Sequence, residues 1–504
     1  MTTTLSLLLL LSVPGLPLLL AFPALRSRLP RPCLLALLPA VILLLLPVDI
    51  TIEVPWLLFG SWFGIDGLSR WLLAMAVVLW AAAAILLHAP GSQAVDNRLT
   101  VFFLLTMAGN LGAVLATDVA GFFAFSSLLG YGFYGLLVAG GDEAVRRAGR
   151  VYLGFMIVAD LILFEALLIA AANTWDLDFE AVHYGIVQSP ASGWYVLMVL
   201  AGFALKAGIW PLHFWLPLAL RSARPGVALL LGGVPVAMAL LGMVRWLPLG
   251  EITLPVLGVI LQWLGLAAAV VGTVVGVLQT HPRTLLAYAG IVVTSLFVTI
   301  LGSGLEWPLI GSVLQGMAHL FILALGLALA ALVAGSMLAD TGAARSALLV
   351  TGRRLGLLLL VLSPVMTLLL TPSSVDGGLH FSESGVVALW PWWMLCTTLL
   401  AVRWLYLLRP RQQEAISVPA PIIPPGDFWL ILERWFFLGR RWFMSMGLQV
   451  LPRWRASVLA VAGCLLQVRV WQKALDAGER ALQSWALAVT LLLLLGIAIA
   501  LLST

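Results

Sequence analysis

Apolar runs long enough to cross a bilayer recur along this chain, and polar residues are confined to the short stretches between them. Fourteen such runs are legible, near 4–22, 33–50, 68–90, 98–117, 119–139, 149–173, 193–219, 226–247, 253–280, 283–302, 308–336, 352–371, 385–408 and 484–502. A helix of about 20 residues reaches across about 30 Å of hydrocarbon, which is the length of each run. The runs are continuously apolar instead of alternating, so they predict helices and not the strands of a barrel. The expected fold class is an all-α polytopic membrane protein of about 14 transmembrane helices.

The pattern also divides the chain. Transmembrane helices over 1–97 precede a transmembrane core over 98–408, whose loops are short. The stretch "RPRQQEAISVPAPIIPPG" (409–426) is proline-rich and polar, which predicts a cytoplasmic linker. Residues 427–483 are aromatic and basic without a clean span, and a last span lies within 484–504. Arg469, Lys473, Asp476 and Arg480 share one helical face while Val470, Trp471, Leu475 and Trp485 fall largely elsewhere. That pattern predicts an amphipathic helix that lies along the membrane surface or braces a partner subunit.

Composition agrees with the pattern, at 62% hydrophobic and 10% charged residues. Charge adds orientation. Of the 27 basic residues, 24 fall in alternate loops and in the segment from Arg403 to Arg480, a bias that marks the cytoplasmic side. The opposite loops carry Asp49, Glu53, Asp66, Asp176, Asp178, Glu180, Glu251, Glu306, Asp376 and Glu383. An even number of crossings then puts both termini on the outer, periplasmic face of a bacterial inner membrane. The first run has no basic leader and its arginines follow it, so it reads as a retained helix and not a cleaved signal. Cys33, Cys396 and Cys464 are scattered without metal-ligand or redox spacing, and there is no nucleotide loop. No catalytic site, cofactor or metal is expected from these features.

Ionisable groups inside the runs are few, and each is a candidate for function. They are Asp160 and Glu165 in the sixth run, Lys206 and His213 in the seventh, and His319 in the eleventh. Lys206 stands out because arginine fills 25 of the 27 basic positions. A desolvated ammonium can lose its proton near neutrality, whereas a guanidinium stays charged. Pro211 and Pro217 remove helical donors just beyond it, so the seventh run should be kinked or broken. Broken helices line cavities and ion sites in transporters. His213, between the prolines, is either a proton relay or a hydrogen-bonded packing residue. Asp160 and Glu165 point about 140° apart on a helix, so only one is expected to face Lys206, with Asp160 nearer the middle of its run. Arg70 and Arg245 sit near outer helix ends and read as snorkelling side chains.

Four stretches carry a family resemblance. "FALKAGIWPLHFWLPLALRSARPGVALLLGG" (203–233), "HPRTLLAYAGI" (281–291), "QGMAHLFILALGLALAALVAGSM" (315–337) and "FFAFSSLLGYGFYGLLV" (122–138) resemble motifs of the proton-conducting, antiporter-like membrane subunits. These belong to respiratory complex I, multisubunit cation/proton antiporters, membrane hydrogenases and the membrane partner of inorganic-carbon accumulation complexes. The resemblance implies two inverted five-helix repeats, each with a broken helix, and a path of buried lysines, carboxylates and histidines. In this sequence the family's central lysine matches Lys206 and its histidine matches His319. The family glutamate falls on Ser127, and further lysines fall on Ala237 and Leu323. An acid and a histidine become Leu218 and Leu220, and the second broken helix is only echoed at 370–385.

The resulting expectation is a proton-translocating, or cation/proton antiporter-like, subunit of a larger membrane complex. Protons would pass through Lys206, Asp160, Glu165, His213 and His319. Soluble enzyme or redox subunits, and further antiporter-like subunits, are the implied partners. The alternatives are a non-conducting scaffold of such a complex and a stand-alone secondary transporter.

Overall fold

The computed structural model describes residues 3–306, less 30, 47–49, 56, 58–59, 88–96, 140, 142, 175 and 280, together with 392, 395, 396, 398–400 and 402–404. The chain forms two compact units, Met1–Gly426 and Asp427–Thr504, and every described residue belongs to the first. His319, the 409–426 linker, the 427–483 segment and the runs near 308–336, 352–371 and 484–502 lie outside the described residues, as does most of 385–408.

The apolar runs within the described residues are largely helical, but the run at 33–50, expected as one span, is divided between two short helices and ends in a strand residue. In chain order the helices are α1 (Thr3–Leu20), α2 (Pro23–Arg26), α3 (Pro32–Leu35), α4 (Leu38–Leu45), α5 (Gly67–Leu87), α6 (Asn97–Leu115), α7 (Val119–Val138), α8 (Glu143–Asn173), α9 (Phe179–Gln188), α10 (Ser192–Ala207), α11 (Trp215–Ser222), α12 (Pro225–Trp246), α13 (Pro255–Leu278) and α14 (Pro282–Glu306). Seven described helices are long and apolar enough to cross a membrane, namely α5, α6, α7, α8, α12, α13 and α14. The run at 193–219 is divided between α10 and α11. The chain is a multi-pass membrane protein.

One element departs from the all-α expectation. Ile50–Val54 (β1) and Ser61–Ile65 (β2) pair antiparallel, with Ile52 opposite Phe63. Five-residue strands sit below the length at which an apolar run is noticed, although the alternating exposure of "ITIEV" is a strand signature. The hairpin is tied to the bundle through Trp62, whose backbone N–H donates to Asp118 at 2.9 Å.

Aspartates start three elements at this end. Asp66 accepts from the Ser69 amide at 2.7 Å, Asp118 from the Gly121 amide at 2.6 Å and Asp178 from the Ala181 amide at 2.9 Å. Each satisfies a backbone donor that the first turn leaves free and places negative charge at the positive end of a helix dipole. The acid-rich loops therefore cap helices as well as bias topology.

Helices meet through small residues. On α6, a Cβ added at Gly109 would run into the backbone of Leu129 on α7, and one at Gly258 on α13 would lie 2.6 Å from the Gly302 carbonyl on α14. Without a hydrophobic drive between helices in lipid, such close approach supplies the packing energy.

Candidate functional site

Lys206 lies in the last turn of α10 and is buried, at 6% exposure. Two features stop the helix there. Gly208 adopts a left-handed φ of 64°, and Pro211 follows with no amide to donate. The chain resumes as α11 at Trp215, whose indole N–H donates to the Leu205 carbonyl at 2.9 Å and so satisfies one acceptor the break exposes. Opposite, α12 carries Pro235 inside its length. Both the broken α10 and the proline-bearing α12 line one small cavity with Ser126, Tyr152, Met156 and Lys206. It has room for about one water molecule.

The lysine is paired. Its Nζ is 2.6 Å from Oδ1 of Asp160 on α8, and both side chains are nearly inaccessible. Nζ also donates to Ser126 Oγ on α7 at 3.1 Å. The Asp160 contact is a charge pair more than an aligned hydrogen bond, since neither carboxylate oxygen meets hydrogen-bond geometry with it. Tyr131 on α7 interacts with the same carboxylate. A buried ammonium and carboxylate at this spacing can exchange a proton directly, or share one more or one fewer with a water in the cavity.

The other expected site residues are placed differently. Glu165 is exposed on α8, on the side that also presents Leu161 and Leu168, and is not brought to Lys206. His213 is buried in the segment between α10 and α11, with its ring 5.9 Å from Tyr288 of α14 and its Nδ1 without a partner among the described residues. Pro211 lies in the break itself, while Pro217 falls in the first turn of α11, where a missing donor costs little. Ala237 and Leu220 are buried and apolar. Ser127, where the family glutamate aligns, buries its Oγ without a partner among the described residues.

Three further side chains carry no signal as site residues in the apolar-run pattern. Ser126 is one position from the aligned glutamate. Tyr152, on α8, buries a hydroxyl beside the cavity that has no partner among the described residues. Arg245 does not snorkel: it is buried, donates to the Ala116 carbonyl at 2.8 Å and to Ser69 Oγ at 2.6 Å, and pairs with Asp66 at 3.1 Å. Arg70 likewise turns inward, donating to the Leu46 carbonyl.

The family described as "NADH:quinone oxidoreductase/Mrp antiporter, TM" matches residues 116–372, about half of the chain. NADH-quinone oxidoreductase subunit N of Pelobacter propionicus is 30% identical over 199 residues, 38% of this chain and 42% of that protein. A probable K(+)/H(+) antiporter subunit of Rhizobium meliloti is 32% identical over 176 residues, 34% of this chain and 32% of its own. The chain thus spans less than half the length of these curated relatives. A subunit of respiratory complex I from Thermus thermophilus with bound NADH superposes with a TM-score of 0.65 at 21% identity, covering 81% of this chain and 89% of that one. At that identity the likeness shows the fold. By the family match, which takes in the broken helix and Lys206, the chain belongs to the NADH:quinone oxidoreductase/Mrp antiporter transmembrane family.

Proposed function

We propose that this protein is a proton-translocating, antiporter-like subunit of a larger complex in the bacterial inner membrane. The observation that carries the reading is the buried Lys206–Asp160 pair at the end of a broken transmembrane helix. Asp160 supplies from α8 the carboxylate that the family places on the neighbouring α7, so the lysine keeps an acidic partner although Ser127 has replaced the glutamate. A proton arriving at either member neutralises the pair and frees the other to exchange with the cavity water. His213, Glu165 and His319 are carried as further members of the path, and Pro211 and Pro217 as the break that opens it.

The finer architecture belongs to the same proposal. It comprises about 14 spans, inverted five-helix repeats, an antiporter-like core over 98–408 after N-terminal helices over 1–97, and a linker over 409–426. A lateral amphipathic helix within 427–483 then leads to the last span, with both termini periplasmic. The arginine bias and the family's repeats support it. The relatives' names, an NADH-quinone oxidoreductase subunit and a probable K(+)/H(+) antiporter subunit, support redox or antiporter partners that drive the ion.

A non-conducting scaffold is the second reading. It is favoured by a second cavity, between α11, α12 and α14, whose lining of Leu216, Leu220, Val236 and Leu286 includes no carboxylate or lysine. One experiment separates the two. The intact complex is purified with Lys206→Ala and reconstituted with a pH-sensitive dye. Proton uptake lost with subunit stoichiometry intact is the expected result; uptake unchanged would leave the scaffold.

A further inference from the structure

Between Lys206 and the acid-rich end of the bundle lies a layer of aromatic rings. Phe203 is one turn before Lys206 on α10, Phe122 is one turn before Ser126 on α7, and Trp246 lies two turns beyond the cavity-lining Met238 and Ala239 on α12. All three point inward with no exposed surface. Their rings close a triangle of edge-to-face contacts. Phe122 and Phe203 are 5.9 Å apart at 79°, Phe203 and Trp246 5.5 Å at 86°, and Phe122 and Trp246 6.4 Å at 68°. Such pairs hold their geometry because the positive edge of one ring meets the negative face of the next. The site for the Phe203 ring is made by Gly242, where any Cβ would overlap it.

Above this layer sits a fixed cation. The Arg245 guanidinium lies 5.6 Å from the Phe179 ring, which itself meets Phe122 edge-on at 6.4 Å. Its hydrogen bonds to Ala116 and Ser69 hold it in place, and the Tyr195 hydroxyl donates to the Trp246 carbonyl at 3.0 Å, pinning the end of α12.

We propose that Phe122, Phe203 and Trp246, roofed by the Arg245 guanidinium, are the barrier that closes the Lys206 site to the acid-rich face. A proton wire needs water, and a buried water needs about two to four polar partners. The three rings offer one polar atom, Trp246 Nε1, which has no partner among the described residues. The Arg245 guanidinium above the layer is already neutralised by Asp66 at 3.1 Å, so the barrier lies in the dryness of the rings and not in charge repulsion. Lys206 then exchanges protons on its other side, through the cavity bounded by Tyr152 and Pro235. The barrier gives direction to the proton-carrying role and rests on that reading, yet its test does not depend on conduction.

The full chain is made free of cysteine at Cys33, Cys396 and Cys464, and Ser126→Cys is introduced as a reporter beside Lys206. A separate preparation with Glu180→Cys, an exposed position, identifies the acid-rich face in oriented proteoliposomes. Labelling by the impermeant methanethiosulfonate ethyltrimethylammonium is timed from that face. The reporter should label at least about tenfold faster once Phe203→Ala is added, with Phe203→Leu between the two, because reaction tracks the population of the open route. Gly242→Ala, which displaces the ring without deleting it, should act in the same direction if Phe203→Ala fails to yield monodisperse protein. Equal labelling from that face with and without these substitutions would overturn the barrier. If Lys206→Ala leaves proton uptake intact while the labelling pattern holds, the function falls and the barrier stands.

Discussion

At the scale of single residues, the buried lysine draws its partners from two neighbouring helices. Lys206 meets Asp160 from α8 at 2.6 Å, while α7 contributes the Ser126 hydroxyl. Removing one partner of a buried pair leaves an uncompensated charge and costs about 3–5 kcal/mol, whereas replacing both with apolar groups is often neutral. Asp160→Asn should therefore lower the thermal unfolding midpoint in detergent, and Asp160→Leu with Lys206→Met should recover most of the loss without restoring proton uptake. A double variant as unstable as the sum of its single changes would mean that the pair is not the source of the effect. The lysine is legible in the sequence because an ionisable group in an apolar run is rare. Its partner is legible only as a choice between two acids, because helical phase separates Asp160 from Glu165 but does not say which face meets α10. Ser126 is hidden by its neighbour: the family motif points to Ser127, and a serine pair carries no charge to mark it.

At the scale of elements, close helix approach and the α10 break make distinct demands on glycine. Gly109 admits no side chain against the α7 backbone, while Gly154 on α8 has nothing within 4 Å of a would-be Cβ. Gly109→Ala should therefore separate α6 from α7 and destabilise the protein by about 1–3 kcal/mol, the range for overpacking. Gly154→Ala should change stability little. Comparable losses for both variants in detergent unfolding would show that packing is not what Gly109 serves. Gly208 differs again, since its neighbours leave ordinary space and only its left-handed φ restricts substitution. Gly208→Ala should cost about 1–2 kcal/mol through the backbone alone. The broken run is readable from Pro211, and the transmembrane helices from their length. The β1–β2 hairpin and α9 are not, because apolar runs of about 20 residues set the scale of the reading and these elements are shorter.

At the scale of the molecule, the acid-rich end is a fastened structure and not merely a set of topogenic loops. Arg245 joins α12 to Asp66 and Ser69 at the start of α5 and to Ala116 after α6, and its own carbonyl accepts from His183 Nε2 of α9 at 2.9 Å. The sequence shows the charges but not that they converge, since the partners lie far apart along the chain. The convergence has a pH signature. Burial lowers the proton affinity of His183, and its bond to the Arg245 carbonyl together with the nearby Glu251, Asp178 and Glu180 only partly offsets it. The folded state then binds fewer protons at His183 than the unfolded chain does near its ordinary value of 6.5. Stability contributed by the neutral ring is present above that value and is lost as pH falls through it toward the lower folded value. Thermal midpoints in detergent should therefore drop on acidification from neutral pH. His183→Gln keeps an amide donor for the Arg245 carbonyl but cannot take up a proton, so its midpoints should fall less steeply over the same interval. Parallel curves for the variant and its parent would assign the acid sensitivity to another group, and with it the view that His183 helps fasten α9 to α12 as a neutral donor would fail.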